Sequence, residues 1–179
     1  YGTGRAYGLE MMMRKKTGRL TGWVGYTLSK VEKKIDGINN GNYFNARQDR
    51  THDVSIVGMY DVNKRWSVSA TWVYTTGSAV TFPTGKYEVN GQTVFLYSDR
   101  NGSRFPAYHR LDLAATLEAR KNKKRRYQSS WTFGLYNAYG RQNAYIINFR
   151  ENKDDPSKTE AVRTSLFSFI PSATWNFKF

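Results

Sequence analysis

The sequence has no cysteine, little proline and no long apolar run. Its 179 residues include 0 Cys and 4 Pro. The lack of cysteine excludes disulfide frameworks, thiolate metal sites and cysteine nucleophiles. No apolar segment approaches the roughly 20 residues that a membrane-spanning helix requires, and the mean hydropathy is −0.69. Residues 1–5 lack the apolar segment of a signal peptide, so we expect either a mature chain that begins here or a piece of a longer protein.

Acidic residues are scarce as well. The chain has 14 Asp and Glu against 28 Lys and Arg, which gives a formal net charge of +14. We expect this charge to lie mostly in turns, loops and the interior, where it attracts anionic substrates or lipopolysaccharide at long range. Aromatic residues make up 16% of the chain, a high share for a basic soluble domain. The length predicts one domain.

The C-terminal segment, residues 170–179, alternates with a period of two. Pro171, Ala173, Trp175, Phe177 and Phe179 fall on one face, and polar side chains fall on the other. The pattern predicts a β-strand with one apolar and one polar side. An aromatic residue at the end of such a strand is typical of the closing strand of a bacterial outer-membrane β-barrel.

Earlier segments show the same alternation. The predicted strands cover residues 5–15, 20–29, 53–61, 66–75, 110–118, 128–136 and 170–179, and we expect the sixth to continue after a bend as 144–150. Their connections alternate between short and long, as in an up-and-down meander with one plain end and one decorated end. A small hairpin with Asn90-Gly91 as its turn is predicted inside the long connection 76–106.

Charged residues avoid the middle of every apolar face. An Arg or Lys at that place in a bilayer costs roughly 2–4 kcal/mol, so a membrane would explain this sorting. We therefore predict an all-β fold, an antiparallel up-and-down transmembrane β-barrel, with a soluble β-sandwich as the alternative. The predicted lipid-facing and girdle residues are Trp66, Trp72, Tyr74, Leu111, Leu113, Trp131, Phe133, Trp175, Phe177 and Phe179.

The opposite faces consist mainly of Ser, Thr, Asn and Gly with scattered charge. Small polar side chains predict a wide, wet interior rather than a packed one. Bacterial single-chain barrels close with an even number of strands, and an open sheet would leave unpaired backbone groups in lipid. We expect residues 1–179 to be the C-terminal portion of a larger barrel whose missing strands are N-terminal.

Several short motifs carry a family resemblance through their order and spacing. They are Gly4-Arg5-Ala6-Tyr7-Gly8-Leu9-Glu10, Gly22-Trp23-Val24-Gly25-Tyr26, Asp49-Arg50-Thr51-His52-Asp53, Tyr74-Thr75-Thr76-Gly77, Tyr108-His109-Arg110-Leu111-Asp112, Tyr136-Asn137-Ala138-Tyr139-Gly140 and the C-terminal strand. Together they resemble the late barrel of TonB-dependent outer-membrane receptors of Bacteroidota-type bacteria. The resemblance covers essentially the whole chain.

The resemblance implies a barrel of about 22 strands, plugged by an N-terminal domain, in the outer membrane of a Gram-negative bacterium. Such receptors import a scarce nutrient (a siderophore, glycan, peptide or cofactor) with inner-membrane energy delivered through TonB. The implied partners are outer-membrane lipid, the remaining strands and plug, the TonB complex and a surface lipoprotein, and no nucleic acid. A passive outer-membrane pore or secretion channel is one alternative. A soluble basic β-domain that binds nucleic acid is another.

Two polar clusters invite a chemical interpretation. Asp49, Arg50, His52 and Asp53 precede or begin a strand, where neighbouring side chains point to opposite faces and do not converge on one ion. We expect local hydrogen bonds and ion pairs there, and an Arg110–Asp112 pair on one face of the fifth strand. We predict no enzyme activity, no catalytic residue, no metal and no bound cofactor.

The basic run 121–126 has two interpretations. It resembles a nucleic-acid patch, yet its place between two strands favours a short periplasmic hairpin that meets anionic headgroups. Substrate contacts are expected in the long connections 30–47, 76–106 and 150–160. The candidate contact aromatics are Tyr43, Phe44, Phe82, Tyr87, Phe95 and Tyr97.

Overall fold

A computed structural model describes residues 1–97, 99–119, 128–152 and 159–178. The described chain consists of β-strands joined by turns, with one short 3-10 turn at Asn39–Gly41 and no α-helix. The strands are β1 Gly2–Lys15, β2 Leu20–Ile35, β3 Phe44–Asn45, β4 His52–Asp61, β5 Trp66–Thr75, β6 Ala79–Val80, β7 Pro83–Val89, β8 Gln92–Tyr97, β9 Ser103–Arg104, β10 Tyr108–Glu118, β11 Gln128–Tyr136, β12 Ile146–Glu151, β13 Thr159–Thr164 and β14 Ile170–Lys178.

The main sheet follows the chain. Its strand order is β1-β2-β4-β5-β10-β11-β14, with the short β3 added beside β2. The predicted meander is therefore confirmed as an all-β, antiparallel arrangement. Within the described residues this sheet is open, because β1 and β14 stand at its two ends.

β1 begins at Gly2 and β10 at Tyr108, a few residues before the predicted 5 and 110, and two larger predictions of strand extent were wrong. β2 continues to Ile35 rather than stopping at residue 29, because its extension gains a partner in β3, where Glu32 pairs with Asn45. The segment after β11 does not prolong that strand. Left-handed backbone at Asn137 (φ 54°) and Gly140 (φ 64°) ends it, and β12 pairs with β13 as a separate two-stranded sheet.

The predicted Asn-Gly hairpin is confirmed and is longer than expected. Val89 pairs with Gln92 across the turn, and the ladder reaches Pro83 and Tyr97. Asn90 and Gly91 have φ values of 51° and 76°, as a type I′ turn requires.

By internal contacts the chain divides into two compact units. The first comprises Tyr1–Met11, Tyr26–Asp53 and Thr75–Ala107. Its small core contains Phe44, Ala46 and Ala79. The Asp49 carboxylate is fully buried, accepts a hydrogen bond from the Val31 amide at 2.5 Å and forms an ion pair with Arg104.

The second unit comprises Met12–Gly25, Val54–Tyr74 and Tyr108–Phe179. Among the described residues of this unit, only the polar residue Asn137 is buried. Its large apolar side chains remain accessible. The Asn137 side chain donates to the carbonyls of Arg141 and Ser168 at 2.9 and 2.7 Å. The turn after β11 is thus held by polar contacts rather than by a hydrophobic core.

Candidate functional site

One side of the second unit's sheet carries an apolar face shared by β10, β11 and β14. Register aligns three rows across these strands: Leu113 with Leu135 and Pro171, Ala115 with Phe133 and Ala173, and Leu117 with Trp131 and Trp175. Since side chains alternate along a strand, these residues share one side of the sheet. We call these three rows, together with Phe177 opposite Ser129, the apolar face.

Ring contacts link the aromatic members of the apolar face. Trp131 lies 6.2 Å from Phe133 and 6.3 Å from Trp175 between ring centroids, and Trp175 lies 5.1 Å from Phe177. These are ordinary distances for aromatic pairs. These aromatic side chains are nevertheless accessible: Trp131 is 45% and Trp175 53% exposed.

The opposite side of the same strands is hydrophilic. Thr116 pairs with Thr132, and Thr132 pairs with Thr174. The hydroxyl oxygens of Thr116 and Thr132 are 3.2 Å apart, and the Asn176 amide donates to Thr132 at 3.4 Å. The two faces of one sheet therefore differ sharply in polarity.

The other predicted lipid-facing residues lie on the expected strands. Trp66, Trp72 and Tyr74 belong to β5, and Leu111 belongs to β10. Trp72 and Tyr74 stack with a centroid distance of 6.1 Å, and Tyr74 also stacks with His109 at 6.5 Å. Phe179 lies outside the described residues.

The six loop aromatics do not form one cluster. Phe44 is only 7% exposed, which leaves little surface for a ligand. Tyr43 is exposed, and the Arg5 guanidinium lies 4.0 Å from its ring centroid. Phe82 meets Phe105 edge-on at 5.9 Å.

The remaining loop aromatics belong to the β7–β8 hairpin. Tyr87 pairs with Val94, whereas Phe95 pairs with Lys86 one position away. Tyr87 and Phe95 therefore lie on opposite faces of the hairpin. Tyr87 and Tyr97 are exposed, and as ligand contacts these residues stay predictions.

A polar cluster around Arg110 is the site that sequence reasoning captured only in part. The expected Arg110–Asp112 ion pair is present at 2.9 Å. Arg110 Nη1 also donates to the hydroxyls of Tyr108 and Tyr136 at 2.9 and 2.7 Å, and the guanidinium lies 4.1 Å from the Tyr136 ring centroid. The i, i+2 spacing of Tyr108, Arg110 and Asp112 was the available signal, because it places all three on one face.

A small cavity of about 130 Å³ lies beside this cluster; its lining includes Tyr108, Arg110, Tyr136, Asn143, Tyr145 and Phe167. Phenol hydroxyls, an amide and aromatic rings are suited to a small polar molecule. Asn143, however, is bonded to the backbone of His109 through both its oxygen and its nitrogen, at 3.2 and 2.9 Å. Much of the polar lining is thus already engaged in holding the loop after β11 against β10.

The two histidines bond to tyrosine hydroxyls. His52 Nδ1 is 2.9 Å from the Tyr26 hydroxyl, and His109 Nδ1 is 2.7 Å from the Tyr139 hydroxyl. Asp49 is occupied by Arg104, and Arg50 donates to Thr75 at 3.2 Å. In the described part of the chain, no group of three or more His, Asp or Glu side chains is arranged to hold a metal ion.

Two sequence expectations remain, for the basic run and for membrane-spanning helices. The basic run 121–126 lies outside the described residues. Over the described ranges, no helix has the length and apolar character needed to cross a membrane. Comparison with family models, with curated proteins and with solved structures finds no match to this chain.

Proposed function

We propose that this chain forms part of an outer-membrane β-barrel and that its apolar face lies against lipid hydrocarbon. The observation that carries the proposal is the aligned register of the three apolar rows, opposite a hydrophilic face on the same strands. In a soluble sandwich such rows would be covered by a second sheet. Here Phe133 is 46% and Trp175 53% exposed, so a solvent of low polarity is the natural cover.

Strand length supports the same proposal. A tilted β-strand needs about 9–11 residues to cross a bilayer. β4, β5, β10, β11 and β14 contain 10, 10, 11, 9 and 9 residues. β1 and β2 are longer, with 14 and 16 residues, and we propose that they extend beyond the hydrocarbon at the decorated end.

The open sheet also favours a larger assembly. In lipid every backbone N–H and C=O must be paired, so an open edge is strongly unfavourable. β1 and β14 end the described sheet, and we propose that further strands pair with both. A hydrophilic inner face of Thr, Ser and Asn then borders a wide interior rather than a packed one.

We further propose that the barrel belongs to an active importer of the TonB-dependent type. The resemblance of the sequence motifs supports this, as do the long connections at one end of the strands. In such an importer the loops capture a scarce nutrient outside, a plug closes the pore and TonB delivers energy. A passive pore is the second candidate, favoured by the same wide hydrophilic face.

Spin labelling tests the membrane placement. The given sequence has 0 Cys, which simplifies the insertion of single cysteines into the full-length protein. We expect a nitroxide at Phe133→Cys to collide with oxygen in the bilayer, and one at Thr132→Cys to collide with a water-soluble nickel chelate. Equal access of the chelate to both positions would contradict the placement.

Conductance separates the two transport classes. The full-length protein, inserted into a planar bilayer, should show no steady conductance if a plug closes it. Large, stable conductance steps would instead identify a passive pore. Either result leaves the spin-label test of membrane placement untouched.

A further inference from the structure

The first unit contains a cationic cluster on β1 and β2, next to the exposed apolar side chains of the same two strands. We define it as Arg5, Lys30 and Lys34, together with the acidic Glu32 among them. Arg5 bonds Glu32 at 2.7 Å, and Lys30 Nζ lies 3.7 Å from the same carboxylate. The three cations outnumber the one carboxylate, so the cluster keeps a net positive charge.

The cluster lies on the apolar side of these strands. By strand alternation, Arg5 shares a face with Tyr7 and Leu9 on β1, and Lys30 and Lys34 share a face with Leu28 on β2. The direct Arg5–Glu32 contact shows that these faces of β1 and β2 coincide. Tyr7, Leu9 and Leu28 are exposed.

Chemistry on this face therefore changes from apolar to cationic along each of the two strands. Arg5 is the next same-face residue after Tyr7, and Lys30 is the next after Leu28. Two residues of a strand span about 7 Å. On both strands the first position beyond the last apolar side chain is a cation.

Neighbouring groups hold the cations in place. The Tyr43 ring lies 4.0 Å from the Arg5 guanidinium and 5.9 Å from Lys34 Nζ. Lys30 Nζ donates to Asn45 Oδ1 at 2.7 Å. The β2–β3 register places Asn45 beside Glu32, whereas Lys33 pairs with the buried Phe44, so Lys33 belongs to the other face.

We propose that this cluster binds the phosphate of a lipid headgroup. The inference rests on the proposed function and extends it to the apolar side of β1 and β2, which we place in hydrocarbon as well. Lipid phosphates lie immediately outside the hydrocarbon, and in this proposal the cations, which follow the apolar side chains along β1 and β2, reach them. Arg donates hydrogen bonds to phosphate oxygens, and Lys adds charge. The Arg5 side chain is 50% and the Lys30 side chain 33% exposed, which leaves both within reach of a headgroup.

The geometry also defines the role of Glu32. Its side chain is 12% exposed and lies between Arg5 and Lys30, where it orders the two cations. The negative charge of Glu32 repels an anion, but it cancels only one of the three positive charges in the cluster. A site of this kind binds phosphate more weakly than a purely cationic one and fixes the position of the headgroup.

Native mass spectrometry of the full-length protein tests this proposal. The protein is kept in dodecyl maltoside micelles and titrated with phosphatidic acid, with a matched diacylglycerol that lacks phosphate, and with inorganic phosphate. We expect phosphatidic acid to bind and diacylglycerol to bind far more weakly. The triple variant Arg5→Gln, Lys30→Gln, Lys34→Gln should lose at least about tenfold in affinity for phosphatidic acid, since each cation near a lipid surface contributes measurably.

A matched variant controls for net charge. Lys33→Gln, Arg47→Gln, Arg100→Gln removes the same charge from other exposed positions of the first unit and should leave the affinity unchanged within about twofold. Equal losses in both variants would overturn the proposal in favour of general charge attraction. Binding of inorganic phosphate as tight as that of the lipid would overturn it in favour of a soluble anion.

The spin-label test at Thr132 and Phe133 separates the two levels of inference. If it places the apolar face in lipid and the triple variant still binds phosphatidic acid normally, only the headgroup site is wrong. If the labels show no lipid contact, the membrane placement itself fails.

Discussion

At the scale of the residue, one buried ion pair stands out in the first unit. Asp49 is fully buried, and Arg104 pairs with its carboxylate while donating to the carbonyls of Asp49 and Gly77 at 3.0 and 3.1 Å. Gly77 lets the backbone of Phe105, the residue after Arg104, come close, because a Cβ at residue 77 would lie 1.8 Å from the Phe105 carbonyl oxygen. The pair therefore joins loop segments that share little hydrophobic core.

Removal of the Asp49 charge should destabilise the first unit. Asp49→Asn leaves Arg104, whose side chain is 27% exposed, without its carboxylate, and the loss of one partner of such a bonded pair costs about 1–3 kcal/mol. Limited proteolysis of the full-length protein should then cut residues 75–107 much faster than in the unaltered protein. Asp36→Asn, at an exposed position, is the control and should leave the rate unchanged; equal protection of both variants would contradict the role of the pair.

At the scale of the element, alternation of apolar and polar residues determines which segments form strands. Residues with a left-handed backbone determine where those strands end. Gly91 adopts φ 76° after Asn90 at φ 51°, which sets the two-residue turn and the register of β7 with β8. Asn137 and Gly140 act in the same way after β11. In both places the left-handed residues decide where a strand stops.

A β-branched residue at Gly91 should loosen the hairpin. Gly91→Val forces an L side chain into the left-handed region, which costs roughly 1–2 kcal/mol. Hydrogen exchange of the β7 and β8 amides should accelerate about 5- to 30-fold as a result. Gly85→Ala, whose Cβ would meet only the Leu96 side chain at 3.6 Å, serves as the control. Unchanged exchange in Gly91→Val would show that the turn does not limit hairpin stability.

At the scale of the whole molecule, the described residues bury few apolar side chains. Phe44, Ala46 and Ala79 are the buried hydrophobic residues of the described part of the chain. A water-soluble domain of this length normally obtains most of its stability from a hydrophobic core. In the function proposed here, burial of apolar side chains in the surrounding bilayer replaces the hydrophobic core as a source of stability.

Under the proposed membrane placement, charge on the apolar face should destabilise the folded protein. Phe133→Arg in the full-length protein should lower the free energy of unfolding from vesicles by about 2–4 kcal/mol, because the cation would enter the hydrocarbon. Urea titration followed by tryptophan fluorescence measures the change. Thr132→Arg, one residue away on the hydrophilic face, should cost far less. Equal costs would show that lipid does not distinguish the two faces.

Much of the second unit was predictable because its strands carry their own pattern. The limits of β5 and β11 match the predicted 66–75 and 128–136, since alternation and short turns specify them locally. The extension of β2 was missed because most of its residues are charged and its partner β3 has only two residues. The Arg110 cluster was half predicted, because Tyr136 joins it through strand pairing and not through sequence proximity.

The sequence by itself determined the strands, their two-sided polarity and the Asn-Gly turn, because each depends on residues a few positions apart. Only the tertiary structure decided the pairing of β12 with β13, the Asp49–Arg104 ion pair and the meeting of Arg5, Glu32 and Tyr43. The last two contacts join residues far apart in the chain, and many side chains of the same type compete for each one. Local periodicity fixes which way a side chain points, whereas the register between distant strands fixes what it meets.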